Sequence, residues 1–241
     1  MYYFYAPIMG QTYHYILVAA AVIPAVLLRF MVYKSDRLEK ESWRILRRLV
    51  VAGVLSTLIA QVAERIGTGI LSARVAEDTT LYNVILYFVI VALSEEGAKY
   101  LLLRLFSWKN AEFNCQYDGV VYAVFVSLGF ALWENISYVL SYGFSTAILR
   151  AFTAIPGHAC FGVFMGLFYG RARREKNLGH DGAAKALNVF AVLVPALLHG
   201  AYDYIASMES SSDLYFIIFV AVLFGLAFAT VRRNAREDRR I

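Results

Sequence analysis

The stretch Leu81–Leu105, LYNVILYFVIVALSEEGAKYLLLRL, decides how this chain folds. It is long enough to cross a bilayer, which takes roughly 20 mainly apolar residues in a helix. Glu95, Glu96 and Lys99 nevertheless interrupt it near its centre. Ionisable side chains at that depth cost at least about 2.5 kcal/mol each, so those that remain mark function or specific pairing. The stretch therefore reads as a transmembrane helix that carries buried charge.

Six more apolar stretches lie around it, near Tyr15–Tyr33, Leu49–Ile70, Gly119–Leu140, Ala147–Gly170, Ala186–Ala206 and Leu214–Val231. The 241 residues are 60% hydrophobic and only 17% charged, with mean hydropathy +0.56. Soluble domains carry about a quarter charged residues. The expected fold class is all-α: a polytopic membrane helix bundle of about seven transmembrane helices. It forms a single domain over residues 1–241, with no room for a soluble domain, no linker and no internal repeat.

Lysine and arginine in the loops set the expected orientation. The first loop (34–48) carries Lys34, Arg37, Lys40, Arg44, Arg47 and Arg48. The third carries Arg104 and Lys109, and the fifth Arg171, Arg173, Arg174, Lys176 and Lys185. The tail (232–241) carries Arg232, Arg233, Arg236, Arg239 and Arg240. The second loop has only Arg74, the fourth none before Arg150, and the sixth none. Cytoplasmic loops are the basic ones, which places the N-terminus outside and the C-terminus in the cytoplasm. The formal net charge of +5 thus belongs to loops facing anionic lipid, and no nucleic-acid partner is expected. Residues 34–48 read as a surface amphipathic helix, with Trp43, Ile45 and Leu46 in the interface, or equally as a solvated basic loop. Tyr2, Tyr3, Phe4 and Tyr5 fit an interfacial aromatic belt. No lysine or arginine precedes Arg29, so no cleaved signal peptide is expected. Cys115 and Cys160 show no pairing pattern and read as free thiols.

The spans hold few polar groups, and those few align in depth. Glu95, Glu96 and Lys99 lie in span 3, Glu134 in span 4, His158 in span 5, and His199 and Asp203 in span 6. With the orientation above, they fall in one layer from mid-bilayer to the outer leaflet. Lys99 follows Glu95 by four residues and Glu96 by three, so on a helix it reaches either carboxylate. If it pairs with one, the other is free to titrate. Two adjacent carboxylates repel, which favours a proton on one of them and makes a general base that works near neutral pH. A structural salt bridge would account for only one of the two. Asp203 lies one turn from His199, where it can fix the imidazole tautomer, and Pro195 on that face is expected to kink the helix. His158 opens a stripe with Gly162, Gly166 and Gly170 that lets helices approach closely and should carry the imidazole inward. Phe130, one turn before Glu134, reads as packing, and Asn135 as a supporting residue. Glu64 and Arg65 cannot face each other on a helix and read as interfacial or structural.

These residues, in this order, resemble the PrsW family of intramembrane proteases, distant relatives of the CAAX prenyl endopeptidases. The family pattern is Glu-Glu-x-x-Lys, Phe-x-x-x-Glu, a histidine, and His-x-x-x-Asp. Here it reads Glu95-Glu96-Gly97-Ala98-Lys99, Phe130-Ala131-Leu132-Trp133-Glu134, His158, and His199-Gly200-Ala201-Tyr202-Asp203. Asp118-Gly119-Val120-Val121-Tyr122, Pro156-Gly157-His158-Ala159 and Leu197-Leu198-His199-Gly200 are also similar to the family, and the likeness spans about Leu93 to Tyr204 (core 93–204). Each motif alone is weak, and four in order on successive spans are specific. The resemblance implies a bacterial plasma-membrane protease. Its substrate would be a single-span membrane protein, an anti-sigma factor given its first cut on the outer side in envelope-stress signalling.

The expected catalytic residues are Glu95, Glu96, Glu134, His158, His199 and Asp203, supported by Lys99 and Asn135. Glu95 would activate water, with Glu96 and Lys99 holding its charge state, although the spacing allows the two glutamates to be exchanged. His199, Asp203 and His158 would stabilise the oxyanion or carry the proton to the leaving amine. No metal cofactor is favoured. Zinc remains the alternative, held by Glu95, Glu134, His158, His199 or Asp203 from separate spans, since no His-Glu-x-x-His is present. A different class, a proton-coupled or metal-ion transporter, would use the same acids and imidazoles, but the paired repeats and broken helices typical of transporters are not visible.

Overall fold

A computed structural model describes residues 22–23, 25–36, 38–208 and 213–241. Among them, six helices are long and apolar enough to cross a membrane. Of the first predicted span, Tyr15–Tyr33, only the C-terminal part is described. It continues in helix α1, residues 25–35. The aromatic run at 2–5 lies outside the described residues.

Helix α2, Trp43–Ser72, starts where Ser42 caps it by accepting from the Ile45 amide at 3.4 Å. This corrects the expected surface helix over 34–48. Residues 38–42 are not helical, and Trp43–Arg48 form the first turns of the spanning helix itself. Ile45 and Leu46 are buried in the core rather than resting in the interface. They lie on the inward face of a continuous helix, where burial removes more apolar surface from water than partial insertion would.

Helix α3, Thr80–Ser107, includes a π-helical segment, Ile85–Val91, ahead of the Glu95–Lys99 turn. Helix α4, Asp118–Tyr142, forms the centre of the bundle, and every residue from Asp118 to Ala131 is buried. That explains its lack of an amphipathic pattern, because a helix packed on all sides needs no polar face.

The predicted span Ala147–Gly170 is in fact two helices. α5 covers Phe144–Phe152 and α6 covers Ala154–Asn177, with a break at Thr153. Pro156 has no N–H for the Phe152 carbonyl and its ring crowds that carbonyl, which favours a break there. α6 packs on α4 along the expected glycine stripe. A Cβ on Gly166 would lie 2.4 Å from the Val120 Cα, an approach that only glycine permits. Helix α7, Asp181–Ala206, runs on through Pro195, and α8 covers Asp213–Arg236.

The first loop, the α3–α4 connection and the tail meet at one end of the bundle. Asn114 donates to Glu39 at 2.7 Å, and the Gln116 amide donates to the Arg239 carbonyl at 2.9 Å. Three of the segments expected to face the cytoplasm therefore do share a side. Both cysteines are unpaired and buried, as expected.

Candidate active site

At the other end of α4, four helices bring the predicted polar residues into one network. From α3, the Lys99 ammonium donates to Glu96 Oε1 at 2.7 Å and to Glu95 Oε2 at 3.1 Å. It also lies 3.2 Å from His158 Nδ1 and 3.9 Å from the centre of the Phe130 ring. Lys99 thus serves both glutamates, not one, because an ammonium carries three donors and positions three and four residues back lie on the same face. From α6, His158 Nε2 meets Glu134 Oε2 of α4 at 2.8 Å. From α7, His199 Nδ1 meets Glu96 Oε1 at 3.0 Å, and its Nε2 meets Asp203 Oδ2 at 3.3 Å. Phe130 does more than pack, since its face receives the Lys99 charge.

The two glutamates differ in what they face. Glu96 is sealed, at 0% exposure, while Glu95 lines a cavity of about 510 Å³. Glu134, His158, His199 and Asp203 line the same cavity. The histidine geometry is constrained. His158 Nδ1 faces an ammonium, which can only donate, so Nδ1 accepts and Nε2–H donates to Glu134. Both nitrogens of His199 face carboxylate oxygens, so this ring donates at both.

Two residues enter the site that the sequence reading placed elsewhere. Arg150, on α5, donates to Glu134 Oε2 at 2.8 Å and to Asn135 Oδ1 at 3.0 Å, and it stacks over Tyr138. A signal was available: it is a single arginine inside an apolar stretch at a loop end otherwise poor in bases. Glu64, read as structural, lines the cavity. Its own helix offers no spacing partner, so nothing in the local sequence distinguishes it from a snorkelling residue. Asn135 is fully buried beside Glu134 and tied to Arg150.

The family model for the PrsW family intramembrane metalloprotease matches residues 41–227. The chain belongs to the PrsW family. Curated relatives named Protease PrsW include those of Oceanobacillus iheyensis, 31% identical over 90% of this chain and 95% of the relative, and Geobacillus kaustophilus, 32% identical over 90% and 91%. The Bacillus subtilis protein is 31% identical over 90% and 96%. No solved structure matches the chain. Like the rest of the PrsW family, this is a peptidase and a multi-pass protein of the cell membrane, and the transporter reading gives way.

The PrsW family description implies a metal. One donor atom each from Glu95, Glu96, His158 and His199 lie within 4.8 Å of one another, a donor set that zinc accepts. As arranged here, the four do not fit one. The Lys99 ammonium lies within hydrogen-bond distance of Glu95, Glu96 and His158, where a shared cation would sit. Each nitrogen of His158 and His199 is committed to a protein partner.

Proposed function

We propose that this PrsW protein cuts a membrane-anchored protein near the outer side of the membrane. The substrate is a single-span protein of the anti-sigma-factor kind, and the attacking water is activated by Glu95 without a metal. The observation that supports this reading is the asymmetry of the glutamate pair. Glu95 faces the cavity beside His158, His199 and Asp203, whereas Glu96 is sealed behind it against Lys99 and His199.

In this mechanism Glu95 takes a proton from water as the water oxygen adds to the scissile carbonyl carbon. The guanidinium of Arg150, on the cavity wall, stabilises the oxyanion that forms, and the His199 ring on the same wall, donating to carboxylates at both nitrogens, adds positive charge there. The C–N bond then breaks as Glu95 returns the proton to the departing amine nitrogen. Glu96 anchors Lys99 and His199, and Asp203 holds the far side of the His199 ring. Arg150 keeps Glu134 ion-paired, His158 donates a hydrogen bond to it, and both shape the opposite wall.

The test is co-expression of the full chain with a tagged single-span membrane protein. Glu95→Gln should lower cleavage by about 10²–10⁴-fold at unchanged expression and insertion, and a chelator should leave the wild-type rate unchanged. Wild-type cleavage by Glu95→Gln removes the base assignment. Loss of activity on chelation, restored by zinc, removes the metal-free mechanism.

A further inference from the structure

A second buried acidic group lies about 24 Å from Glu134 along the axis of α4. Asp36 precedes α2, Glu41 lies just before its cap, and Asp118 opens α4. One oxygen from each lies within 4.8 Å of the others. The three side chains are buried, with 4%, 3% and 0% exposure.

Each carboxylate is half satisfied. Asp118 Oδ2 accepts from the Asn114 amide at 3.0 Å and the Cys115 amide at 2.7 Å. Glu41 Oε2 accepts from the Tyr122 hydroxyl at 2.5 Å. The remaining oxygens, Asp36 Oδ2, Glu41 Oε1 and Asp118 Oδ1, are buried and have no hydrogen-bond partner. A non-acidic group shares the condition: the Tyr117 hydroxyl, on a residue only 1% exposed, is also buried without a partner. Tyr117 directly precedes Asp118 in the chain.

No lysine or arginine among the described residues forms an ion pair with any of the three acids. The Lys40 ammonium donates to the backbone carbonyls of Tyr33, Lys34 and Asp36, which brings one positive charge near Asp36 without pairing any of the three carboxylates. Three buried carboxylates beside a single unpaired ammonium still need relief by a proton or by a cation. A proton bridging Glu41 and Asp118 would leave the Asp36 oxygen unserved. A cation serves all three carboxylates at once. The donors are oxygens only, which suits a hard cation.

We propose that Asp36, Glu41 and Asp118 bind a hard divalent cation, magnesium or calcium, which clasps the segment before α2 to the start of α4. The C-terminal tail joins the same clasp, because Asp238 Oδ1 accepts from the Tyr117 amide at 2.8 Å.

The experiment uses the full chain in detergent, stripped with chelator and then titrated near neutral pH with magnesium, calcium or terbium. Terbium emission is excited through the neighbouring tyrosines. The expected result is tyrosine-sensitised emission and a rise in Tm of about 5 °C at a hundredfold excess of calcium or magnesium over Kd. Glu95→Gln should keep both responses. Asp36→Asn and Glu41→Gln should weaken terbium binding at least about tenfold. Both should also melt higher than wild type in chelator, since each removes an uncompensated charge. That gain distinguishes a lost ligand from a damaged fold. No response in wild type overturns the proposal, as do Asp36→Asn and Glu41→Gln variants that respond like wild type. A response abolished by Glu95→Gln also overturns it, because the cation would then belong to the active site.

Discussion

Lys99 is the residue on which the candidate site turns. It is fully buried and holds two glutamates, one histidine and the Phe130 face together. Removing one partner of a buried charged group leaves the rest uncompensated, which costs far more than the pair contributes net. Lys99→Met should therefore lower stability by about 3–5 kcal/mol, read as a fall in Tm of the purified protein. A melt within a degree of wild type would show that the acids are not held by this ammonium. Arg150 is more open and acts on the cavity wall. Arg150→Ala should leave Tm nearly unchanged and slow cleavage by about 10²-fold, the effect of removing one donor to the oxyanion. Arg150→Lys should recover only part of this, because one guanidinium reaches both Glu134 and Asn135 and an ammonium cannot copy that fork. The acids and imidazoles of the site were legible from residue type and helical spacing. Glu64 was not, because its helix offers no partner at helical spacing, and Arg150 gave only the signal of a lone arginine in an apolar stretch.

At the scale of elements, the site depends on how α7 seats against the π-helical part of α3. A Cβ on Gly200 would lie 2.6 Å from the Phe88 ring and 2.9 Å from its backbone Cα. The backbone atom cannot swing aside, so α7 must move, and His199 moves with it. Gly200→Ala should cost about 1–3 kcal/mol and lower cleavage by more than its small change in Tm accounts for. Equal activity at full expression would show that the contact positions nothing. The glycine stripe of α6 was readable as a packing face, and α4 confirms it. The π-helical segment and the α5–α6 break were not foreseen. The π-helical run Ile85–Val91 reads as unbroken apolar sequence, and Pro156 alone does not say where the chain resumes its helix.

Across the whole molecule, the basic segments gather at one end and the buried acid–imidazole network lies toward the other. If the basic end faces the cytoplasm, a fluorescent protein fused after Ile241 should glow, and a reporter active only outside should work when placed in the 73–79 loop. The reverse pattern would place the active site near the cytoplasmic leaflet and remove the outer-side cleavage proposal. Exposed Val62, Ile66, Leu101, Leu105 and Phe152 cover the outside of the bundle with apolar surface, as contact with lipid tails requires.

The sequence alone determined the helical membrane class, the alternating basic loops and the catalytic candidates. All three follow from composition and short-range periodicity, which the bilayer enforces on any chain crossing it. Only the tertiary structure decided which glutamate faces the cavity, since Glu95 and Glu96 are neighbours with the same chemistry. It also decided that Lys99 serves both, and that Asp36, Glu41 and Asp118 meet at the opposite end. Such contacts between distant residues arise from helix packing, and no local pattern records how four helices turn toward one another.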